Sequence, residues 1–132
     1  MSEALESLAR VAVDCGFKLH DGLGPGLLES VYEACLFESL KRRGLRVERQ
    51  KPIPIRFEGV ELAEGFRVDL LVENQLLIEL KSSENFMPVH GKQVLTYLRL
   101  MDLPLGLLMN FGAPTFKEGV RRIANNYYAP CA

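Results

Sequence analysis

Apolar residues recur at steps of three and four along the first third of the chain, which is the spacing of amphipathic helices. We expect one helix over residues 2–20 and, after a break over 21–26, a second that begins at Pro25 and ends at Gly44. Proline suits the first turn of a helix, and glycine suits the position just past its end. This assignment places Glu29 in the first turn of the second helix.

Beyond Gly44, apolar and polar residues alternate, as they do in β-strands. The alternation predicts strands over residues 53–57, 66–72 and 76–82, with turns at Glu58-Gly59 and at residues 73–75. Pro52 and Pro54 lack the N–H that an inner strand needs, so the first strand is expected at an edge of the sheet.

The last part of the chain returns to helical spacing over residues 88–101, followed by an apolar run over 105–111 that predicts a strand covered on both faces. Thr115 and Glu118 form a capping-box pattern for a final helix through Val120, Ile123 and Tyr127. The predicted order is therefore ααβββαβα. Because no linker or repeat interrupts it, we expect a single domain over residues 1–132 of the α/β class.

Composition agrees with one globular domain and limits its partners. The 132 residues are 48% hydrophobic and 25% charged, with a net charge of −1, so affinity for nucleic acid must come from a local patch. Neither a membrane span of roughly 18 apolar residues nor a signal-peptide stretch occurs, which predicts a cytoplasmic protein. Cys15, Cys35 and Cys131 have the spacing of neither a disulfide framework nor a zinc site.

Candidate chemistry lies on the predicted hairpin of the second and third strands. A three-residue turn at 73–75 sets Val72 opposite Leu76 and, counting outward, Asp69 opposite Glu79. Directly opposed residues project from one face with Cβ atoms about 5 Å apart. Since apolar residues surround both carboxylates, a divalent metal or a shared proton is needed to relieve their repulsion.

Lys81 follows Glu79 by two residues and therefore lies on the same face, with Arg67 opposite it. A metal, two hard oxygen ligands and a cation form a centre that cleaves phosphodiesters. The alternative is an exposed patch in which Lys81 and Arg67 pair with Asp69 and Glu79. The register of Asp69 with Glu79 favours the catalytic interpretation.

Five stretches of sequence resemble, in order, those of the GxxExxY proteins of the PD-(D/E)XK nuclease superfamily. They are HDGLGPGLLESVY from His20, FRVDLLV from Phe66, LLIELKS from Leu76, HGKQVLTYL from His90 and GLLMNFG from Gly106. The resemblance implies a restriction-endonuclease-like mixed sheet flanked by helices, with an αβββαβ core that matches the predicted order.

The resemblance also implies roles for individual residues. Asp69 and Glu79 would hold Mg²⁺ or Mn²⁺ with help from the Leu80 carbonyl, and Lys81 would orient or activate the attacking water. Glu29 would face the metal directly or through a water.

Further polar residues match positions in the same blocks. Gln93 would touch a metal-bound water or phosphate, and Tyr97, one turn later on the same helix face, would steady the backbone or a neighbouring carboxylate; a polar cap on the helix is the alternative. His20, His90 and Tyr32 are candidates for contacts with substrate or around the site, against structural roles in a helix cap or in packing.

The function expected is Mg²⁺- or Mn²⁺-dependent hydrolysis of DNA. The alternative is a non-catalytic module that binds nucleic acid or assembles with an unidentified protein partner, or that is active only with that partner. A homodimer would allow so small a domain to address both strands.

Overall fold

The computed structural model describes residues 2–85 and 87–128, and Cys131 lies outside them. Its elements are α1 (Ser2–Leu23), α2 (Glu29–Arg42), β1 (Val47–Phe57), β2 (Val60–Val72), β3 (Leu76–Lys81), α3 (Pro88–Met101), β4 (Leu105–Asn110), α4 (Phe116–Gly119) and β5 (Val120–Ala124). No helix among the described residues combines the length and apolar character needed to cross a membrane.

The five strands form one mixed sheet in the order β1-β2-β3-β4-β5. Strand β3 pairs with β4 in parallel across the α3 crossover, and the other neighbours are antiparallel. Because strand residues alternate between faces, Leu70 and Ile78 pack in a core with α1 and α2, whereas Leu71 and Leu77 pack against α3 on the opposite face. The predicted α/β class is confirmed, as is the position of β1 at an edge.

The predicted start of α2 is wrong, and its predicted end is confirmed. Residues 24–28 form a loop in which Gly24 and Gly26 have φ angles of +73° and +104°, and the helix begins only at Glu29. Glycine adopts such angles without the clash that a Cβ would cause. The helix ends before Gly44, which has a φ of +83°.

The predicted final helix is too long. Thr115 caps α4 as expected, accepting a hydrogen bond from the Glu118 N–H at 3.2 Å, but the helix ends at Gly119. Residues 120–124 instead form β5, antiparallel to β4. An unpaired edge on the fully buried strand β4 would leave backbone groups without partners, so tertiary pairing overrides the local helical pattern.

Strands β1 and β2 are longer than predicted and form a hairpin that continues beyond the residues paired with β3. Glu58 and Gly59 make its turn, with φ angles of +46° and +81°. A register shift between Ile53 and Ile55 surrounds Pro54, which cannot donate to the ladder.

Candidate active site

The hairpin register on which the site depends is confirmed. Val72 pairs with Leu76, and backbone pairing between β2 and β3 continues to Leu70 and Ile78. There it stops, because β2 continues along β1 while β3 continues along β4. Asp69 and Glu79 occupy the next position on each strand, at a fork in the sheet.

The expected pairing of Arg67 with Lys81 is absent. Beyond the fork, Arg67 pairs with Pro52 on β1 and forms an ion pair with Glu64. Lys81 pairs in register with Asn110 on β4. The divergence of the two strands therefore separates the two cations that the sequence placed opposite each other.

The two carboxylates take over the backbone hydrogen bonds that the fork leaves unmade. Glu79 Oε1 accepts from the Asp69 N–H at 3.3 Å, and Asp69 Oδ2 accepts from the Leu80 N–H at 2.9 Å. Each acidic side chain is thus fixed against the backbone of the opposite strand.

Burial makes both carboxylates costly to ionise. Glu79 is 5% exposed. Its desolvation and, to a smaller extent, repulsion from Asp69 raise its pKa to about 8, although the charge of Lys81 acts to lower it. Desolvation also raises the pKa of Asp69, with further contributions from the charges of Glu33 and Glu29. A cation between these side chains would offset both the desolvation of the carboxylates and their mutual repulsion.

Glu29 and Lys81 lie beside this pair with opposite effects. Glu29, exposed in the first turn of α2, adds negative charge that raises the pKa of both carboxyls. Lys81 at the end of β3 is half-buried, and its ammonium lowers the pKa of Glu79. The fork thus brings together residues from one helix and two strands.

Two residues that the sequence analysis missed complete the surroundings of Asp69. Glu33 follows Glu29 by one helical turn and is 7% exposed, and the Gln50 amide bridges it to Asp69. The Glu29–Glu33 spacing is a signal for an acidic helix face that could have revealed Glu33. Nothing in the polar stretch around Gln50 singles out that residue.

The predicted pair on α3 approaches the site through Tyr97. Gln93 Nε2 donates to the Tyr97 hydroxyl at 2.8 Å, and the Tyr97 ring stacks on Phe66 at 4.1 Å between centroids. Burial, followed by the charges of Glu79 and Asp69, raises the pKa of Tyr97. Gln93 therefore contacts the residue of α3 whose pKa responds to the charges of both carboxylates.

His20 and Tyr32 have partners in the scaffold. His20 is 7% exposed, and its Nε2 donates to the Ala113 carbonyl at 2.8 Å. Tyr32 is fully buried, donates to the Gly24 carbonyl at 2.5 Å and accepts from the Leu27 N–H at 3.1 Å. Tyr32 thereby holds the loop that leads into Glu29.

His90, in the first turn of α3, differs from these two residues. Its Nδ1 is buried and has no hydrogen-bond partner among the described residues. Its backbone N–H donates to the Met87 carbonyl at 3.0 Å, as expected at a helix start.

The donor chemistry at the fork fits a hard divalent cation. No cluster of three or more His, Cys, Asp or Glu side chains in the described part of the chain could enclose a metal. Mg²⁺ typically binds one or two carboxylates and keeps several waters, so the pair Asp69 and Glu79 meets its needs.

One of three comparisons with known proteins finds a match. The model of a family described as the PD-(D/E)XK nuclease superfamily matches residues 6–123, a span that includes every candidate residue above. Searches of curated proteins and of solved structures find no match to the chain.

Proposed function

We propose, from the premise that this chain belongs to the PD-(D/E)XK nuclease superfamily, that it hydrolyses DNA phosphodiester bonds with Mg²⁺ or Mn²⁺ at Asp69 and Glu79. The observation that supports this most is the pair of buried carboxylates at the β2–β3 fork, with Lys81 beside them. We further propose that it is a single domain of the GxxExxY group.

Asp69 and Glu79 would hold the ion with the Leu80 carbonyl, and Glu29 would face it through a water, since no group of three acidic side chains in the described part of the chain could hold a metal directly. When bound, the ion supplies Lewis-acid polarisation of the phosphate and a water of lowered pKa. Lys81 would orient the attacking water and stabilise charge that develops on the phosphoryl oxygens.

The remaining candidates would act around this centre. Gln93 would contact a phosphate oxygen or a water through the amide that now holds Tyr97, and Tyr97 would steady the carboxylates. His20, Tyr32 and His90 would act by holding the surrounding loops and helix ends rather than by touching substrate, and for the first two this agrees with their scaffold partners.

The test is cleavage of single-stranded, duplex and branched DNA, with RNA for comparison, in Mg²⁺ or Mn²⁺. We expect Asp69→Asn, Glu79→Gln and Lys81→Ala each to lower the rate by about 10²-fold or more, in the range found when a group that stabilises the transition state is removed. Lys117→Ala, an exposed lysine on α4, is the matched control. Equal rates in all variants, or no cleavage by the wild type, would contradict the proposal.

A second candidate function is a binding or assembly module that is silent alone or active only with a protein partner. The exposed apolar residues Phe57, Val60 and Leu62 at the end of the β1–β2 hairpin favour it, because such a patch suits a partner surface. Calorimetry distinguishes this module from a nuclease. If Glu79→Ala leaves the affinity for Mn²⁺ unchanged, the result would favour the module. A homodimer and a cytoplasmic location remain predictions.

A further inference from the structure

Gln50 has an unfavourable backbone conformation in the middle of a strand. Its φ angle is +52°, in the left-handed region that non-glycine residues rarely adopt, although β1 continues on both sides. Arg49 pairs with Leu70 and Lys51 with Val68, so Gln50 occupies the position opposite Asp69. Strained conformations of this kind persist where the surrounding structure requires them.

The Gln50 side chain joins two carboxylates from different elements. Its Nε2 donates to Glu33 Oε1 on α2 at 2.5 Å and to Asp69 Oδ1 on β2 at 3.1 Å. Glu33 also pairs with Arg49 Nε at 3.3 Å, which balances its buried charge. One amide thus separates two acidic groups that would otherwise repel each other.

This contact completes the fixation of the Asp69 carboxylate. Asp69 Oδ2 accepts from the Leu80 N–H at 2.9 Å, and Oδ1 accepts from Gln50, so a donor holds each oxygen. With only the Leu80 contact, the carboxylate could rotate about its bond to Cβ. A carboxyl group that must meet a cation benefits from such fixation before the cation arrives.

We propose that Gln50 is a positioning residue, whose left-handed backbone delivers its amide between Glu33 and Asp69 to orient the Asp69 carboxylate for a divalent cation. The inference rests on the proposed function, since it assumes that Asp69 binds the cation. It adds a residue from the edge strand β1 to a site otherwise built from α2, β2, β3 and α3.

Glycine at position 50 distinguishes the effect of the backbone conformation from the effect of the side-chain amide. Glycine adopts a positive φ without strain, so Gln50→Gly should keep the backbone conformation and a cooperative urea transition in EDTA, weakened only by the loss of the amide contacts with Glu33 and Asp69. We expect the same variant to bind Mn²⁺ about 10-fold more weakly by calorimetry, at the lower end of the range seen when ligand-orienting residues are lost. DNA cleavage should show a lower kcat with KM little changed.

A second Gln50 variant and a control variant test whether the loss of the amide causes the weaker binding. Gln50→Asn keeps a residue that tolerates the left-handed region but shortens the amide, so it should fold and also bind Mn²⁺ more weakly than the wild type. Asn74→Gly relieves a similar φ of +56° in the exposed β2–β3 turn and should not change Mn²⁺ affinity. Weaker binding in both Gln50 variants, with no change in the control, would support the proposal.

Failure of the Gln50 inference and failure of the proposed function would give different results. If Gln50→Gly and Gln50→Asn bind Mn²⁺ as tightly as a wild type that binds and cleaves, Gln50 only shapes the strand, and the inference is overturned while the proposed function stands. A wild type that neither binds Mn²⁺ nor cleaves DNA overturns the proposed function, and the inference with it.

Discussion

Replacing Glu79 by glutamine should stabilise the metal-free protein, and more strongly as the pH rises. Burial and the neighbouring Asp69 raise the pKa of Glu79 from 4.5 to about 8. Below pH 4.5 the carboxyl is protonated in both the folded and the unfolded chain, so this group does not penalise folding. As the pH rises from 4.5 to about 8, the unfolded chain ionises this carboxyl while the folded protein still holds the proton, so stability is lost progressively over this range.

The size of the effect follows from the shift in pKa. At about 1.4 kcal/mol for each pH unit, a rise from 4.5 to about 8 corresponds to about 4–5 kcal/mol once Glu79 is fully ionised. Part of this free energy is shared with Asp69, because the two carboxyls titrate as a coupled pair and Asp69 remains in the variant. We therefore expect Glu79→Gln to raise the free energy of unfolding by about 2–4 kcal/mol at pH 9 and to change it little at pH 4.5.

Urea unfolding in EDTA at pH 4.5, 7 and 9 measures this difference directly, since the chelator removes any cation that would offset the repulsion. Glu38→Gln, at an exposed position on α2, is the control and should show no comparable pH dependence. A Glu79→Gln variant that is less stable than the wild type at pH 9, or a difference independent of pH, would refute the reasoning.

Three other predictions concern the scaffold. Glu6 accepts hydrogen bonds from Arg122 and Tyr127, which lower its pKa to about 2. Glu6→Gln should therefore lower the free energy of unfolding in urea by about 1–2 kcal/mol at pH 7, and this difference should disappear as the pH falls from 4.5 to 2. Asn110 is 1% exposed and exchanges two hydrogen bonds with the Ser83 backbone, so Asn110→Ala should cost about 2–4 kcal/mol in the same assay. His20→Leu, which leaves a carbonyl unpaired, should cost about 1–3 kcal/mol, with Mn²⁺ affinity by calorimetry unchanged.

Local rules predicted the parts of the fold that depend on neighbours in sequence. The turn at 73–75 predicted the hairpin register because the type and length of the turn set the pairing of the two strands that it joins. Helix α3 has the predicted bounds, since Pro88 suits its first turn and Pro104 follows its end. Strand β5 was missed because its conformation depends on the open edge of β4, which is distant in sequence.

The same distinction applies to the site. Asp69 and Glu79 could be placed together by counting from a turn, whereas the Gln50 contact depends on a left-handed backbone inside a strand and on the approach of α2 to β1. No local pattern predicts either feature. Glu33 was predictable only in part, because the sequence shows its spacing from Glu29 but not its burial.

The fork gives the carboxylates at positions 69 and 79 a structural task in addition to the chemical task proposed for them. Where β2 and β3 diverge, the Asp69 and Leu80 N–H groups lose strand partners, and each donates instead to the acidic side chain on the opposite strand. Alanine at either position would leave a buried donor unpaired and lower stability as well as activity. Asparagine and glutamine retain an acceptor oxygen, so loss of cleavage in those variants, with folding intact, isolates the contribution of the negative charge.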